Sequence, residues 1–464
     1  MQLLLHRLLN PRHIFLVFVE GFLLFVVLLL LLFFRFNILV GTPMSYSIPF
    51  KNSVLVMIVY LISFHYWDLY HPDSYSFDRQ MFNNLCVSLI ASSVFLFVLY
   101  YLYPPLTIGR GVLMANVIVS PVVVIGWRAI YIRWLSGGLP SEQVLIMGSG
   151  NLAKKIATEI LAMKEMGLHI VGFVDDDPSK IGKSIVNPTV LGGYADLWKI
   201  VRSLEVDRVI VALPDRRQKL PMAALLKCKL WGARIEEGET FQERVTGKVP
   251  LDQLRPSWLV FSQGFKSLGS RKVVKRIADI IFSISGLILS SPLLLIVPIL
   301  IKLDSHGSVI FKQKRVGENN KLYTLYKFRS MRQDAEAETG PVWAKEKDDR
   351  VTKVGRILRV LRIDEIPQII NVLKGDMSFI GPRPERPYFV VRLKKEVPYY
   401  GLRLMVKPGI TGWAQVKYSY GASVKDALEK LQYDLYYIKN MSLLFDLIIF
   451  MKTIKIMLLG KGAR

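Results

Sequence analysis

Two adjacent carboxylates, Asp364 and Glu365, follow three arginines, Arg356, Arg359 and Arg362, at the head of the stretch running to Glu385. Carboxylates among fixed cations suit phosphoryl transfer. One can attack phosphorus itself and split the transfer into two steps, while guanidinium forks take up phosphate oxygens. Gly381-Pro382-Arg383-Pro384 adds another guanidinium on a backbone that its prolines largely fix. The same residues also fit a solvated charged helix face followed by a Pro-rich turn.

Ile357, Leu358, Leu361, Ile366, Ile369, Ile370 and Leu373 recur at three- and four-residue steps, so helix with one buried face must position the acids. Pro367 suits a first helical turn and not an interior. The spacing therefore predicts one short helix ending near Asp364 and a second beginning near Glu365, with the acid pair at the junction.

Four blocks occur in a fixed order: Lys327-Phe328-Arg329-Ser330-Met331, Ile363-Asp364-Glu365-Ile366-Pro367-Gln368, the Gly-Pro-Arg-Pro-Glu elbow, and Lys407-Pro408-Gly409-Ile410-Thr411-Gly412-Trp413. Over about 190 residues from Lys272 onward, the chain resembles the bacterial polyprenyl-phosphate sugar-1-phosphate transferases, the monotopic phosphoglycosyl transferases. The wider layout resembles their large subgroup. The resemblance implies a reaction in which a UDP-sugar gives its sugar phosphate to undecaprenyl phosphate and releases UMP. This is the first membrane step of exopolysaccharide or O-antigen synthesis. It assigns Asp364 as nucleophile, forming an aspartyl phosphosugar. Glu365 is its partner, handling a proton or, with Asp364, holding Mg²⁺. Arg359 and Arg383 are expected to clamp phosphates, with Lys327 and Arg329 as secondary cations. Pro382, Pro384, Thr411, Gly412 and Trp413 are expected at the nucleotide or phosphate. Arg356 and Arg362 also read as plain surface charge.

The chain has 464 residues, 52% of them hydrophobic, and a formal charge of +24. With mean hydropathy +0.33 it is too apolar for an ordinary soluble protein. Such a basic balance suits nucleic acid, an anionic membrane face or an anionic substrate; the long apolar runs favour the last two and no nucleic acid. Cys86 and Cys228 read as inert packing residues, with no disulfide framework or zinc site.

Apolar runs at Ile14–Phe34, Val54–Tyr70, Leu85–Tyr103 and Val112–Trp134 approach the ~20 residues that a spanning helix needs. Arg7 and Arg12 place the N-terminus in the cytoplasm, and four crossings return the chain there, at Arg128 and Arg133. Arg35, Lys51 and Arg110 fall on the outer side, so the bias is imperfect. Glu20 inside the first run predicts an interhelical hydrogen bond.

From Ser141 to Leu268 the pattern is a Rossmann-like α/β domain. A strand at Val144–Met147 leads into Gly148-Ser149-Gly150, then a helix pattern, then a strand ending at Asp175. Gly148, Gly150 and Asp175 stand where a nucleotide would bind, although a retained scaffold without cofactor fits equally. No Tyr-x-x-x-Lys pair follows within it.

Lys272, Lys275 and Arg276 precede the run Ile277–Ile301, and Lys302, Lys312, Lys314 and Arg315 follow it. Positive charge on both sides argues that both ends stay at the cytoplasmic face. Ser290-Ser291-Pro292 in the middle predicts a break with serine hydroxyls taking up freed carbonyls, hence a re-entrant helix over about 273–303. Basic and aromatic residues then alternate from Phe311, read here as a grip on lipid and nucleotide phosphates. Arg332–Lys347 reads as a loop or lid, Pro387–Tyr400 as an amphipathic basic helix, and Leu443–Leu459 as an interfacial helix.

The expected organisation is membrane α plus α/β. Residues 1–138 form four transmembrane helices, 139–268 the cytoplasmic Rossmann-like domain, and 269–464 a mostly helical catalytic domain at the bacterial inner membrane's cytoplasmic face. A homodimer through the membrane helices or the α/β domain is compatible with this layout. Two other functions compete: a membrane-tethered NAD-dependent nucleotide-sugar epimerase or dehydratase, and a non-enzymatic assembly protein.

Overall fold

The computed structural model describes residues 11–36, 47–70, 79–136, 141–162, 167–213, 220–251, 264, 269–332, 350–418, 421 and 423–458. Arg7, most of the residues between 251 and 269, and residues 333–349, which include most of the expected loop or lid Arg332–Lys347, lie outside them. The chain divides into two compact units, Gln2–Gly238 and Glu239–Arg464.

The first unit opens with α1 (Pro11–Phe33), α2 (Ser47–Tyr66), α3 (Arg79–Leu102) and α4 (Arg110–Ser136). Three stretches here, Ile14–Phe36, Met81–Leu102 and Gly111–Tyr131, are long and apolar enough to cross a membrane; Phe50–Tyr66 is apolar but shorter. Leu24, Leu28, Tyr60, Phe64, Leu85 and Leu96 pack inward, while Phe18, Phe22, Ile62 and Ile118 face outward. The polar intrusion is resolved by pairing. Arg128 donates from Nε to Glu20 Oε1 at 2.7 Å, from Nη2 to Oε2 at 3.2 Å, and from Nη1 to the Leu69 carbonyl at 2.8 Å. Glu20 finds the interhelical partner its position predicts. Arg128 is buried and paired, so it does not act as the surface cation of the positive-inside argument.

The α/β part comprises β1 (Glu142–Met147), α5 (Asn151–Ala162), β2 (Leu168–Val174), β3 (Val190–Gly192), α6 (Leu197–Ser203), β4 (Arg208–Val211), α7 (Met222–Trp231) and β5 (Arg234–Glu237). The strands pair parallel in the order β3-β2-β1-β4-β5. Leu145, Met147, Val209 and Val211 meet Leu197, Val201, Leu225 and Cys228 on one face. The continuous buried runs in the central strands β1 and β4 are what a sheet covered on both faces needs. Cys228 is a core residue with no disulfide.

After α8 (Gly238–Thr246), α9 (Gly269–Asp304) runs as one helix through Pro292 and Pro298, so the break expected at Ser290-Ser291-Pro292 does not occur. Proline cannot bond the carbonyl four residues back, and here Ser291 Oγ donates to that carbonyl of Ile288 at 2.8 Å. One side of α9 is apolar and exposed, including Ile288, Leu289, Leu295 and Leu303. From Arg276 to Asp304 its other side packs on the acid-pair stretch. Arg276 donates to the Val372 and Leu373 carbonyls, and Leu293, Leu294, Val297 and Ile301 share one apolar cluster with Leu358, Ile363 and Ile366. Asp304 Oδ2 accepts from the Val354 amide at 3.0 Å.

The hairpin β6 (Ile310–Val316) and β7 (Leu322–Phe328) pairs antiparallel, Ile310 with Phe328 and Val316 with Leu322. The elements α10 (Lys353–Val360), α11 (Gln368–Lys374) and β8 (Ser378–Ile380) come next. Asn371, fully buried, ties α11 to β7: its amide donates to the Thr324 carbonyl and accepts from the Tyr326 amide. Then follow α12 (Pro387–Glu396), β9 (Gly409–Thr411), α13 (Trp413–Lys417), α14 (Val424–Asn440) and α15 (Leu443–Leu458). Ser423 and Asp426 form a capping box on α14.

Candidate active site

Thr352 caps α10 by accepting the Gly355 amide at 3.0 Å, and Leu358 buries the helix's apolar face. The helix stops at Arg362, whose φ of 54° reverses the chain into a short 3-10 turn, Ile363–Glu365. A non-glycine residue in that conformation costs on the order of 1 kcal/mol or more. The reversal, with Pro367 opening α11, puts both acids at the junction the periodicity predicts. Each is only 8% exposed.

The two carboxylates are treated differently. Glu365 Oε1 accepts from Lys327 Nζ at 2.7 Å and from Arg383 Nη2 at 2.9 Å, and Arg362 Nη1 stands 3.8 Å from Oε2. Burial alone would raise the Glu365 carboxyl, but Lys327 and Arg383 outweigh it and hold it well below the usual carboxylate range. Asp364 makes no ion pair within 4 Å among the described residues. Burial raises its carboxyl, aided by the Glu365 charge and opposed by Lys327, Arg359 and Arg383. Burial also pulls Lys327 down, against the pull of Glu365. Glu365 thus anchors the cationic frame, and Asp364 is the less engaged of the two carboxylates.

Arg359 Nε donates to Ser330 Oγ at 2.9 Å, and its charge acts on Asp364. Arg356 is exposed, as a surface charge would be. Arg383 sits on an elbow locked by backbone pairing: the Gly381 amide donates to the Thr411 carbonyl and the Gly409 amide to that of Pro382. A Cβ on Gly409 or Gly412 would collide with the backbone of Gly381. These glycines therefore bring two strands together under Pro382 and Arg383.

Several expected residues lie apart from the acids. Trp413 donates from Nε1 to the Gly247 carbonyl at 2.8 Å and packs on Tyr436 and Phe445. Thr411 bonds the Thr453 hydroxyl, and Arg329 donates to the carbonyls of Ser305 and His306. Pro384 presents its carbonyl to Arg315 at 3.2 Å. Ser291 and Pro292 lie within α9. In the α/β part, Gly148 has φ 105° and a Cβ there would meet the Ala212 carbonyl at 2.8 Å, so glycine is required. It shares one corner with Gly150 and Asp175. Ser149 Oγ donates to Asp175 Oδ2, and Lys180 Nζ lies 3.1 Å from that hydroxyl and 3.6 Å from Asp175 Oδ1.

Sequence reasoning missed the support beneath the elbow. Arg403 Nη2 donates to the Arg383 carbonyl at 2.9 Å, while Nη1 bonds Tyr400 OH and the guanidinium stands 2.9 Å from Asp434 Oδ2. A lone arginine in the apolar run Leu402–Val406 was the available signal.

Mg²⁺ is commonly held by one or two carboxylates together with substrate phosphates. Asp364, with no ion pair among the described residues, fits that use; Glu365 fits less well because cations already occupy it. Among the described residues no three His, Cys, Asp or Glu side chains gather as a metal site.

Taken together, the molecule is a membrane-associated α/β protein whose C-terminal unit holds a buried acid pair in a cationic frame along an apolar helix. The family described as bacterial sugar transferase matches residues 270–460, and one described as a CoA-binding domain matches 65–227. The chain is 45% identical over 243 residues to the UDP-N-acetylgalactosamine-undecaprenyl-phosphate N-acetylgalactosaminephosphotransferase of Aeromonas hydrophila, covering 52% of this chain and 56% of that protein. It is 32% identical to the undecaprenyl-phosphate glucose phosphotransferase of Komagataeibacter xylinus, covering 70% of this chain and 60% of the relative. It is 41% identical to the exopolysaccharide production protein PSS of Rhizobium leguminosarum bv. phaseoli, covering 41% of this chain and 98% of the relative. The matched region is thus under two thirds of the first two relatives' length. The chain belongs to the bacterial sugar transferase family.

Proposed function

We propose that the protein transfers a sugar-1-phosphate from a UDP-sugar to undecaprenyl phosphate, releasing UMP, as the initiating membrane step of a bacterial polysaccharide. The observation that carries this reading is the division of labour in the acid pair. Lys327 and Arg383 anchor to Glu365, leaving Asp364 beside them without an ion pair among the described residues. The names of the first two relatives support the acceptor and the class of reaction.

Asp364 attacks the sugar-bearing phosphorus, the anhydride bond to UMP breaks, and a phosphosugar remains on the carboxylate. The acceptor's phosphate oxygen then attacks the same phosphorus and frees Asp364. Arg383 and Arg359 take up phosphate oxygens, and Lys327 balances Glu365, so cations stand ready where charge shifts. Mg²⁺ held at the acid pair would screen charge on the departing phosphate.

In this reading the site lies on the cytoplasmic face of the inner membrane, with α9 re-entrant and the domain limits at 138 and 268. Support comes from the packing of α9, which touches the stretch 354–373 from Arg276 to Asp304, about 42 Å of helix. One end could not cross the bilayer without carrying those arginines with it. The NAD-dependent alternative is disfavoured by Asp175, whose carboxylate is engaged by Ser149 and Lys180.

The test uses the full chain in nanodiscs without undecaprenyl phosphate, so that the phosphosugar stays on the carboxylate, and acceptor is added afterwards. Radiolabelled UDP-sugars are expected to leave label on the wild type and none on Asp364→Asn; label on the variant overturns the nucleophile. UMP release against absorbance at 340 nm separates transfer from redox chemistry.

A further inference from the structure

In a parallel sheet all strands start at one edge, and the helices that follow them run back to it. Here that edge receives the chain from the membrane helices. β1 begins at Glu142, six positions after Ser136 ends α4, a span of at most about 22 Å. The same edge holds the C-terminal ends of α6 and α7 and the first residue of β5.

α7 turns an apolar stripe outward along its length, and the stripe ends at this edge with Leu230 and Trp231. Met222, Leu226 and Leu230 recur at four-residue steps, 67%, 57% and 79% exposed, and Trp231 is 57% exposed. Leu204, just past α6, is exposed beside them. Trp198 meets Trp231 edge-on, and the Arg202 guanidinium lies 5.7 Å over the Trp231 ring. Lys227 and Lys229 flank the stripe, both exposed, and Arg234 is exposed at the edge itself. The acids here are Glu205, Asp207 and Glu142. Asp207 accepts the Gln143 amide, and Glu142 is taken by Arg208. Among the described residues Glu205 is the one of these acids with no side-chain partner, against the exposed Arg202, Lys227 and Lys229, so the net charge of the face is positive.

We propose that this face of α7 docks on the surface of the membrane in which α1–α4 lie. Leu230 and Trp231 enter the headgroup layer, and Lys227, Lys229 and Arg202 meet lipid phosphates. A helix with an apolar stripe, a terminal tryptophan and flanking lysines has the composition of an interfacial helix. The short tether holds the domain at high effective concentration near the surface, so a weak contact suffices. Anionic lipid is the occupant that the charge selects. The contact leaves the opposite edge, with Gly148 and Asp175, open to solvent.

The proposal is tested on the full chain in nanodiscs containing phosphatidylglycerol. A cysteine variant at Leu230, with Cys86→Ser and Cys228→Ala, carries an environment-sensitive fluorophore. A second label replaces Lys154 in the first turn of α5, on the opposite edge. Headgroup-proximal spin-labelled lipid is expected to quench the label at 230 at least threefold more than that at 154. Adding Lys227→Glu and Lys229→Glu should lower this quenching by half or more. Equal quenching at the two positions overturns the proposal. Because Cys228 is buried, a photo-crosslinker in place of Leu226 on the wild-type cysteine background provides a second measurement. A lipid adduct supports docking. A dimer band or no adduct overturns it, the former because a second copy then covers the face.

Discussion

Asp434 lies beneath the elbow, its side chain 2% exposed and its Oδ2 2.9 Å from Arg403. Burial raises its carboxyl and Arg403 opposes, with the net effect that it is pushed up to about 6 from 3.8. Between those values the folded chain keeps a proton that the unfolded chain releases. Stability therefore falls as pH rises from about 4 to about 6 and levels off beyond. A rise of that size corresponds to on the order of 3 kcal/mol, or roughly 6–12 °C in melting temperature for a unit of this size. Asp434→Asn copies the protonated acid in shape. It should track the wild type near pH 4 and gain on it by pH 7, because the variant has no buried charge to form. The assay is thermal unfolding in detergent from pH 4 to 7.5, read as wild type minus variant. The subtraction is needed because Asp364, Asp446 and Glu243 are also raised and Glu365 lowered. A flat difference refutes the reasoning. So does a variant that loses ground as pH rises, which would mean that Arg403's attraction exceeds the cost of burial. That opposite result has a known scale, about 3–5 kcal/mol for stripping one partner from a buried pair.

Glu365→Gln leaves Lys327 and Arg383 without their counter-charge, so stability should drop by about 3–5 kcal/mol and UMP release by at least ~100-fold. Adding Lys327→Met should restore much of the melting temperature and none of the activity. Gly355→Ala drives a Cβ into the Ser330 carbonyl, costing about 1–3 kcal/mol; by displacing Ser330 from Arg359 it should raise the KM for donor more than it lowers kcat. In the membrane helices, Arg128→Met strands buried Glu20 and should lower the melting temperature of the detergent-solubilised chain sharply. The double variant Glu20→Leu, Arg128→Met should recover most of the loss, as apolar replacement of a whole buried pair often does.

The acid pair is legible in the sequence because its signals are local: periodicity on both sides, a proline where a helix must restart, and arginines within one or two turns. The hairpin is not. Basic and aromatic residues alternating from Phe311 suggest a phosphate grip, whereas a period of two is the strand period. Tyr323 and Leu325 fill the core while Lys327, on the same strand, reaches Glu365. Glycines mislead in a similar way. Gly409 and Gly412 look like amides offered to a phosphate, yet they give space for another backbone. Both uses need a missing Cβ, and only the tertiary neighbour distinguishes them. Arg403 and Asp434 cannot be recognised as partners because nothing in their spacing links residues on different elements. The deepest case is the acid pair itself. Asp364 and Glu365 are adjacent and share a chemistry, so residue type cannot tell the carboxylate held by cations from the one left without an ion pair among the described residues. The left-handed turn at Arg362 and the hairpin that delivers Lys327 aim the cations at Glu365. That geometry, absent from any local pattern, leaves Asp364 without an ion pair among the described residues, and on that we base the nucleophile proposed for it.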